Sequence, residues 1–337
     1  MRVMLLCVLL CAPLWAEKVW VGKPAPKFTA AGTLINAYEF GRTHADFEGD
    51  VIVVLEWNVR DLDSCKHMDK LQERWAKHGA KGLWVFAVHR LKENVRQVAK
   101  VVRKRGWGFC VAMGSFYDDD NDFSRYHHDD HVFRVTVIGI DGKAVYYDKT
   151  GFETALDAEL KKLVYPGLGR HSVNARVSRT AKYFGERKFG HAISEAQKLL
   201  AANPAQEVVD DAELVVSRAR ALARKRNERI EEWVADKRYD LALPVLETMV
   251  DEFKGHEIGA EARTRLKAIE GDKSLKPELA AYAALKKLNE ESDSLADDKM
   301  VEALRKFAAD NAGRRAGGVA AQMAKELQAD LDKRQGQ

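Results

Sequence analysis

Two stretches of the chain carry side chains able to do chemistry. In the first, Leu62-Asp63-Ser64-Cys65 follows the apolar run Val51 to Trp57, and Cys65 is one of four cysteines, with Cys7, Cys11 and Cys110. A thiol at the mouth of a helix can attack a disulfide if it is exposed, has a lowered pKa and has a second thiol nearby to resolve the product. Lys66, His67 and the helix dipole would lower the Cys65 pKa, whereas Asp61, Asp63 and burial would raise it, and the sequence leaves that balance open. Cys110, in Phe109 to Met113, is the possible disulfide partner, provided that the two Cα atoms lie within about 7 Å. Its other reading is an inert thiol in a buried strand.

The second stretch is acidic and histidine-rich: Asp118, Asp120 and Asp122, then His127, His128, Asp129, Asp130 and His131. The three alternate aspartates and Asp129 at the twelfth place have calcium-loop spacing, but Phe123 replaces the glycine that the sharp turn needs. Imidazoles and carboxylates are transition-metal ligands, which makes His127, His128, Asp129 and His131 weak metal candidates beside the plainer reading of a solvated loop. No metal and no cofactor is expected.

The elements that must position Cys65 are legible. Val51 to Trp57 is a β-branched and aliphatic run, as in a strand covered on both faces. Asp61, Asp63 and Ser64 are N-cap candidates, and Met68, Leu71 and Trp75 then share one helix face up to Gly79 and Gly82. Leu83 to Val88 reads as a second strand and Lys92 to Lys104 as a helix with Val95, Val98, Val101 and Val102 inward. Phe109 to Met113 is a short third strand. Val132 to Ile140 and Ala144 to Tyr147, joined by Asp141-Gly142, form a hairpin, and a helix runs from Glu153 to Val164. Before all this, Val19 to Phe28 is an extended arm with an edge strand, since Pro24 and Pro26 deny a helix, and residues 29 to 50 read as loop. The string β-α-β-α-β-(short helix)-β-β-α implies an α/β layer architecture.

Gly22 to Phe28 (GKPAPKF) resembles the G-x-x-A-P-x-F entry of the redoxin and thiol-disulfide oxidoreductase branch of the thioredoxin superfamily. Gly49 to Trp57 resembles its G-K-V-V-x-x-x-F-W strand, Lys81 to Val88 the strand that follows, and Ile140 to Lys143 (IDGK) a shortened I-D-x-x-G-K turn. The resemblance spans about residues 19 to 165 and implies a thioredoxin-like fold, a mixed sheet flanked by helices. It also implies a C-x-x-C pair, of which only the second member stands, at Cys65; Leu62 replaces the nucleophile. The family's cis-proline would fall near Val132 or Phe133, yet no proline lies between Pro26 and Pro166. The peroxidase pattern of related families would need Thr or Ser at Leu62. The site is therefore read as degenerate.

From Arg170 onward the composition turns to alanine, leucine, lysine and glutamate at helical spacing, an all-α region. Phe189-x-x-Ala192-Ile193 and Tyr239-x-x-Ala242-Leu243 each open a helix, with Tyr183 and Trp233 nine residues before the respective alanines, and Met300-x-x-Ala303-Leu304 is a fainter third copy. These features resemble irregular tetratricopeptide-like hairpins, in which a small residue lets helices approach and an aromatic fills the gap, with a long helix from about Val208 to Val234 between copies. Such a surface implies a protein or peptide partner, beside the plainer reading of a helical bundle whose aromatic and alanine residues form a core with no partner.

Lys plus Arg outnumber Asp plus Glu by only 55 to 51 and both signs are interspersed, which argues against a nucleic-acid footprint. Met1 to Ala16 has Arg2, an apolar run and a small residue at Ala16, the layout of a signal peptide, and no later segment reaches the about 20 apolar residues of a membrane span. The expected organisation is a signal peptide (1–16), a thioredoxin-like domain (17–166), an α-helical tetratricopeptide-like domain (167–331) and a polar tail (332–337). The expected role is that of an exported, periplasmic or extracellular protein with a binding or scaffold function. The alternative is an oxidoreductase working through Cys65, with or without Cys110.

Overall fold

A computed structural model describes residues 21–30, 33–37, 44–89, 95–113, 126, 134–291 and 295–335. Its first half is built on β1 (Thr33–Ile35), β2 (Val51–Trp57), β3 (Leu83–His89), β4 (Cys110–Met113), β5 (Val135–Ile138) and β6 (Ala144–Asp148). They form one sheet in the order β1-β4-β3-β2-β5-β6. Strands β2, β3 and β4 are parallel, while β5, β6 and β1 run antiparallel to their neighbours. Helices α1 (Leu62–His78) and α2 (Val95–Arg105) make the crossovers, and α3 (Phe152–Lys162) follows the hairpin. A central parallel βαβ unit extended by an antiparallel hairpin and a closing helix is a thioredoxin-like topology.

The sheet is buried on both faces for a reason visible in β2. Val51, Val53, Leu55 and Trp57 point to one side and join Met68 and Leu71 of α1, Val98 and Val102 of α2, and Phe152 and Leu156 of α3 in one core. Ile52 and Val54 point to the other side and meet Phe86, Val88 and Cys110 beneath the arm residues Ala25, Phe28 and Ala30. Each such aliphatic side chain contributes about 1.5–3 kcal/mol on burial, which makes a run this apolar a central strand and not an edge.

Among the described residues the arm pairs with the β6 edge only through single bridges, Val21 to Ala144 and Pro24 to Lys143, because Pro24 and Pro26 bring no N–H to a ladder. The stretch from 29 to 50, expected to be loop, contains β1 and a 3-10 turn at His44–Phe47. Strand β1 is three residues long and gains its hydrogen bonds from β4, a tertiary partner that local sequence does not announce.

The second half is helical: α4 (Ser178–Gly185), α5 (Phe189–Ala201), α6 (Gln206–Ala235), α7 (Tyr239–Glu252), α8 (Glu257–Gly271), α9 (Lys276–Glu291), α10 (Asp297–Asp310) and α11 (Arg315–Gln335). Phe189 and Tyr239 stand at the first positions of α5 and α7, as their motifs anticipate, and Ala192 and Ala242 are fully buried between helices. Glycines tighten the packing further. A Cβ on Gly190 or Gly259 would lie 2.4 Å from the backbone of residues 253–254, where the end of α7 crosses α5 and α8.

The two halves touch at specific places. Gly49, with φ +90°, lies so close under the connecting segment that a Cβ there would be 2.5 Å from the Gly169 nitrogen. The Asp50 carboxylate accepts from the Gly167 N–H at 2.6 Å and from Trp84 Nε1 at 2.8 Å. Arg218 of α6 pairs with Glu48 at 2.8 Å, and Arg96 of α2 pairs with Asp297 of α10 at 2.5 Å.

Candidate functional site

The site that the topology singles out is the turn Asn58–Asp61, between the end of β2 and the start of α1. Asp61 caps the helix, its carboxylate accepting from the Asp63 N–H at 3.0 Å. Leu62 is therefore the first residue of α1, and it is 70 % exposed. Cys65 is the fourth, 3 % exposed, and packed in the core with Met68, Trp57 and Val135. Its Sγ lies 3.9 Å from both the Asn58 and Val59 carbonyl oxygens. Burial is the chief cause that pushes the Cys65 thiol above its ordinary range; Asp61 and Asp69 add to it and Arg105 opposes it. Of the influences that the sequence left open, burial acts most strongly, in the direction that disfavours the thiolate.

Two residues hold this turn: Ser64, one of the cap candidates, and His89, which the sequence reading did not single out. Ser64 is fully buried; its hydroxyl lies within hydrogen-bond range of the Asn58 and Asp61 carbonyls, at 3.0 and 2.9 Å, and accepts from the Asn58 N–H at 3.2 Å. His89, fully buried at the end of β3, accepts from the Val59 N–H at 3.2 Å through Nε2 and meets the Trp57 ring edge-on at 4.9 Å. The available signal for His89 was a lone histidine closing an apolar strand.

Cys110 does not complete the pair. Both cysteines are buried, and no disulfide joins them. Cys110 stands opposite Phe86 in the β3–β4 ladder and belongs to the core under the arm, whereas Cys65 belongs to the core under α1. The sheet lies between them, which corrects the expectation of Cys110 as a disulfide partner: strand pleating sends its side chain to the far face. His127, His128, Asp129 and His131 lie outside the described residues, as do Val132 and Phe133 and the signal-like stretch 1–16. Among the described residues no cluster of three or more His, Cys, Asp or Glu is arranged to hold a metal.

Chemically the turn presents the exposed apolar side chain of Leu62 above a sulfur sealed in the core. No resolving thiol shares the Cys65 face among the described residues. A peroxidatic thiol has the same need for exposure, and Cys65 does not meet it.

No family model and no curated protein matches this chain. Solved structures match its N-terminal part. A thioredoxin-like protein in the oxidised form is 15 % identical over 42 % of this chain and 97 % of its own, with a TM-score of 0.36. The thioredoxin domain of a thiol-disulfide oxidoreductase from Bacteroides vulgatus is 16 % identical over 41 % of this chain and 97 % of its own, with a TM-score of 0.34. A thioredoxin family thiol:disulfide interchange protein from Chlorobium tepidum is 15 % identical over 41 % of this chain and 95 % of its own, also at 0.34. It is the strand order and the crossovers of β2 to β6 that make the first half of this chain thioredoxin-like in fold.

Proposed function

We propose that this chain is an exported protein whose thioredoxin-like domain serves as a binding or scaffold module without dithiol chemistry. Its helical region, organised as tetratricopeptide-like hairpins, would offer the surface for a protein or peptide partner in the cell envelope. The observation that carries the reading is the pairing of an exposed Leu62 with a buried Cys65 across the first turn of α1. Export is supported by the signal-like pattern of Met1 to Ala16. No helix among the described residues is long and apolar enough to cross a membrane. The proposed division is a thioredoxin-like domain over 17–166 and a helical domain over 167–331, in keeping with the separate apolar clusters of the two halves.

Equilibration of the folded chain with oxidised and reduced glutathione, read by intact-mass spectrometry, tests this reading. A reactive Cys65 thiolate would attack the disulfide, retain one glutathione as a mixed disulfide and release the other as thiolate. The expected spectrum has no adduct until denaturant is added. Stoichiometric modification of Cys65 in the folded chain favours the second reading, an oxidoreductase working through Cys65, which draws on the place of that sulfur in the first turn of the helix after β2.

A further inference from the structure

At the pole of the sheet opposite Cys65, one length of β2 away, the two halves of the molecule enclose a cleft of about 540 Å³. That volume is within the roughly 300–1,000 Å³ of small-ligand sites, and a junction between two packed units is a common place for one. Its walls come from both halves. Trp75 of α1 and Trp84 of β3 face Phe184, Phe189 and Leu222 of the helical region.

The charged groups of the cleft are arranged unevenly. Arg187, Arg218, Lys225 and Arg226 line it, all from the helical side. The neighbouring carboxylates are already engaged: Glu48 with Arg218 at 2.8 Å, Asp46 with Arg229 at 3.3 Å, and Glu252 with both Arg187 and the buried Arg226. Arg187 and Arg226 also lie over the Phe189 ring, at 5.6 and 5.9 Å from its centroid. The remaining carboxyl, Asp50, accepts from Trp84 and Gly167, and burial pushes its pKa up to about 6. The ion pairs engage Arg218, Arg187 and Arg226 as well as the carboxylates, but a guanidinium carries five N–H donors and a carboxylate pair leaves some of them over. A cation entering here would meet four like charges on the helical side, whereas an anion would meet guanidinium and ammonium donors, which form the stronger class of hydrogen bond.

We propose that this cleft binds a small organic anion with a flat apolar body, the body lying among Trp75, Trp84 and Phe184 and the anionic group toward Arg218 and Lys225. The site is independent of the turn at Cys65 and would stand whichever way that turn functions.

The test uses the full chain and 8-anilinonaphthalene-1-sulfonate, a fused-ring aromatic with one sulfonate, followed by its fluorescence and by energy transfer from tryptophan. Its neutral counterpart, N-phenyl-1-naphthylamine, is titrated in parallel. The expected result is saturable binding at one site per chain, with the neutral probe weaker by about tenfold or more. Ala221→Trp, which fills the cleft, should abolish binding. Lys225→Glu should weaken the sulfonate by about tenfold and leave the neutral probe unaffected, whereas the distant charge reversal Lys104→Glu should change neither. Circular dichroism of each variant checks the fold, and Lys225→Glu, at the partly exposed rim, carries the test if Ala221→Trp does not fold. Non-saturable binding, equal affinity for both probes, or indifference to Lys225→Glu would overturn the proposal.

Discussion

Cys65 and Leu62 stand three positions apart, one buried and the other exposed, and that contrast governs what the turn can do. Both positions belong to the first helical turn, so side chains at i and i+3 are neighbours there. If the frame of a redox pair is intact and only the attacking sulfur is missing, Leu62→Cys should restore a closable pair. On oxidation with diamide both thiols should disappear from a denatured-state count and return with reductant. Two titratable thiols persisting at positions 62 and 65 would mean that the turn does not bring these side chains together. The place of Cys65 in the first turn of the helix after β2 was readable from the sequence, since it follows an identifiable strand and cap candidates. The pKa direction was not, because it depends on how far the fold buries the sulfur, and the core that holds Cys65 is assembled from separate elements, β2, α1 and β5 among them.

Among the elements, those with their own strong pattern were legible and those dependent on a partner were not. Strand β2, helix α1, strand β3 and the hairpin around Asp141-Gly142 announce themselves through apolar periodicity and turn chemistry. Strand β1 did not, and neither did the side on which Cys110 falls, which follows from its register against Phe86. The turn into α1 is a further case, because it is held by Ser64 and His89 through contacts to its backbone. Ser64→Ala removes a buried hydroxyl and strips its partners at Asn58 and Asp61, which should cost about 1–3 kcal/mol. Urea unfolding measures it; a loss below about 0.5 kcal/mol, the range of an ordinary surface change, would show that the turn is held by other means.

At the scale of the molecule, the helical half is joined to the sheet by a segment that rests on Gly49 and is hydrogen-bonded to Asp50. The Asp50 carboxyl, pushed up to about 6 from 3.8 mainly by burial, is favoured in its protonated form by the folded state. Its contribution is therefore fully present below about pH 4 and is lost as the pH rises through 6, up to about 3 kcal/mol. His44, His67 and His78, all lowered chiefly by burial, act with the opposite sign near neutrality. The difference in unfolding free energy between the native chain and Asp50→Asn, measured from pH 4 to 7, isolates the aspartate: the gap should shift in favour of the variant as the pH rises. A pH-independent gap would mean that Asp50 stays ionised in the fold. Of this junction only the Pro166-Gly167 break was visible in the sequence, because the carboxylate that receives it lies 117 residues away.

The proposal of a thioredoxin-like frame without dithiol chemistry is tested most directly by insulin reduction by the full chain, with dithiothreitol as electron source, beside Cys65→Ser. The predicted result is a rate equal to dithiothreitol alone for both proteins; turnover above that background, lost in Cys65→Ser, would contradict it.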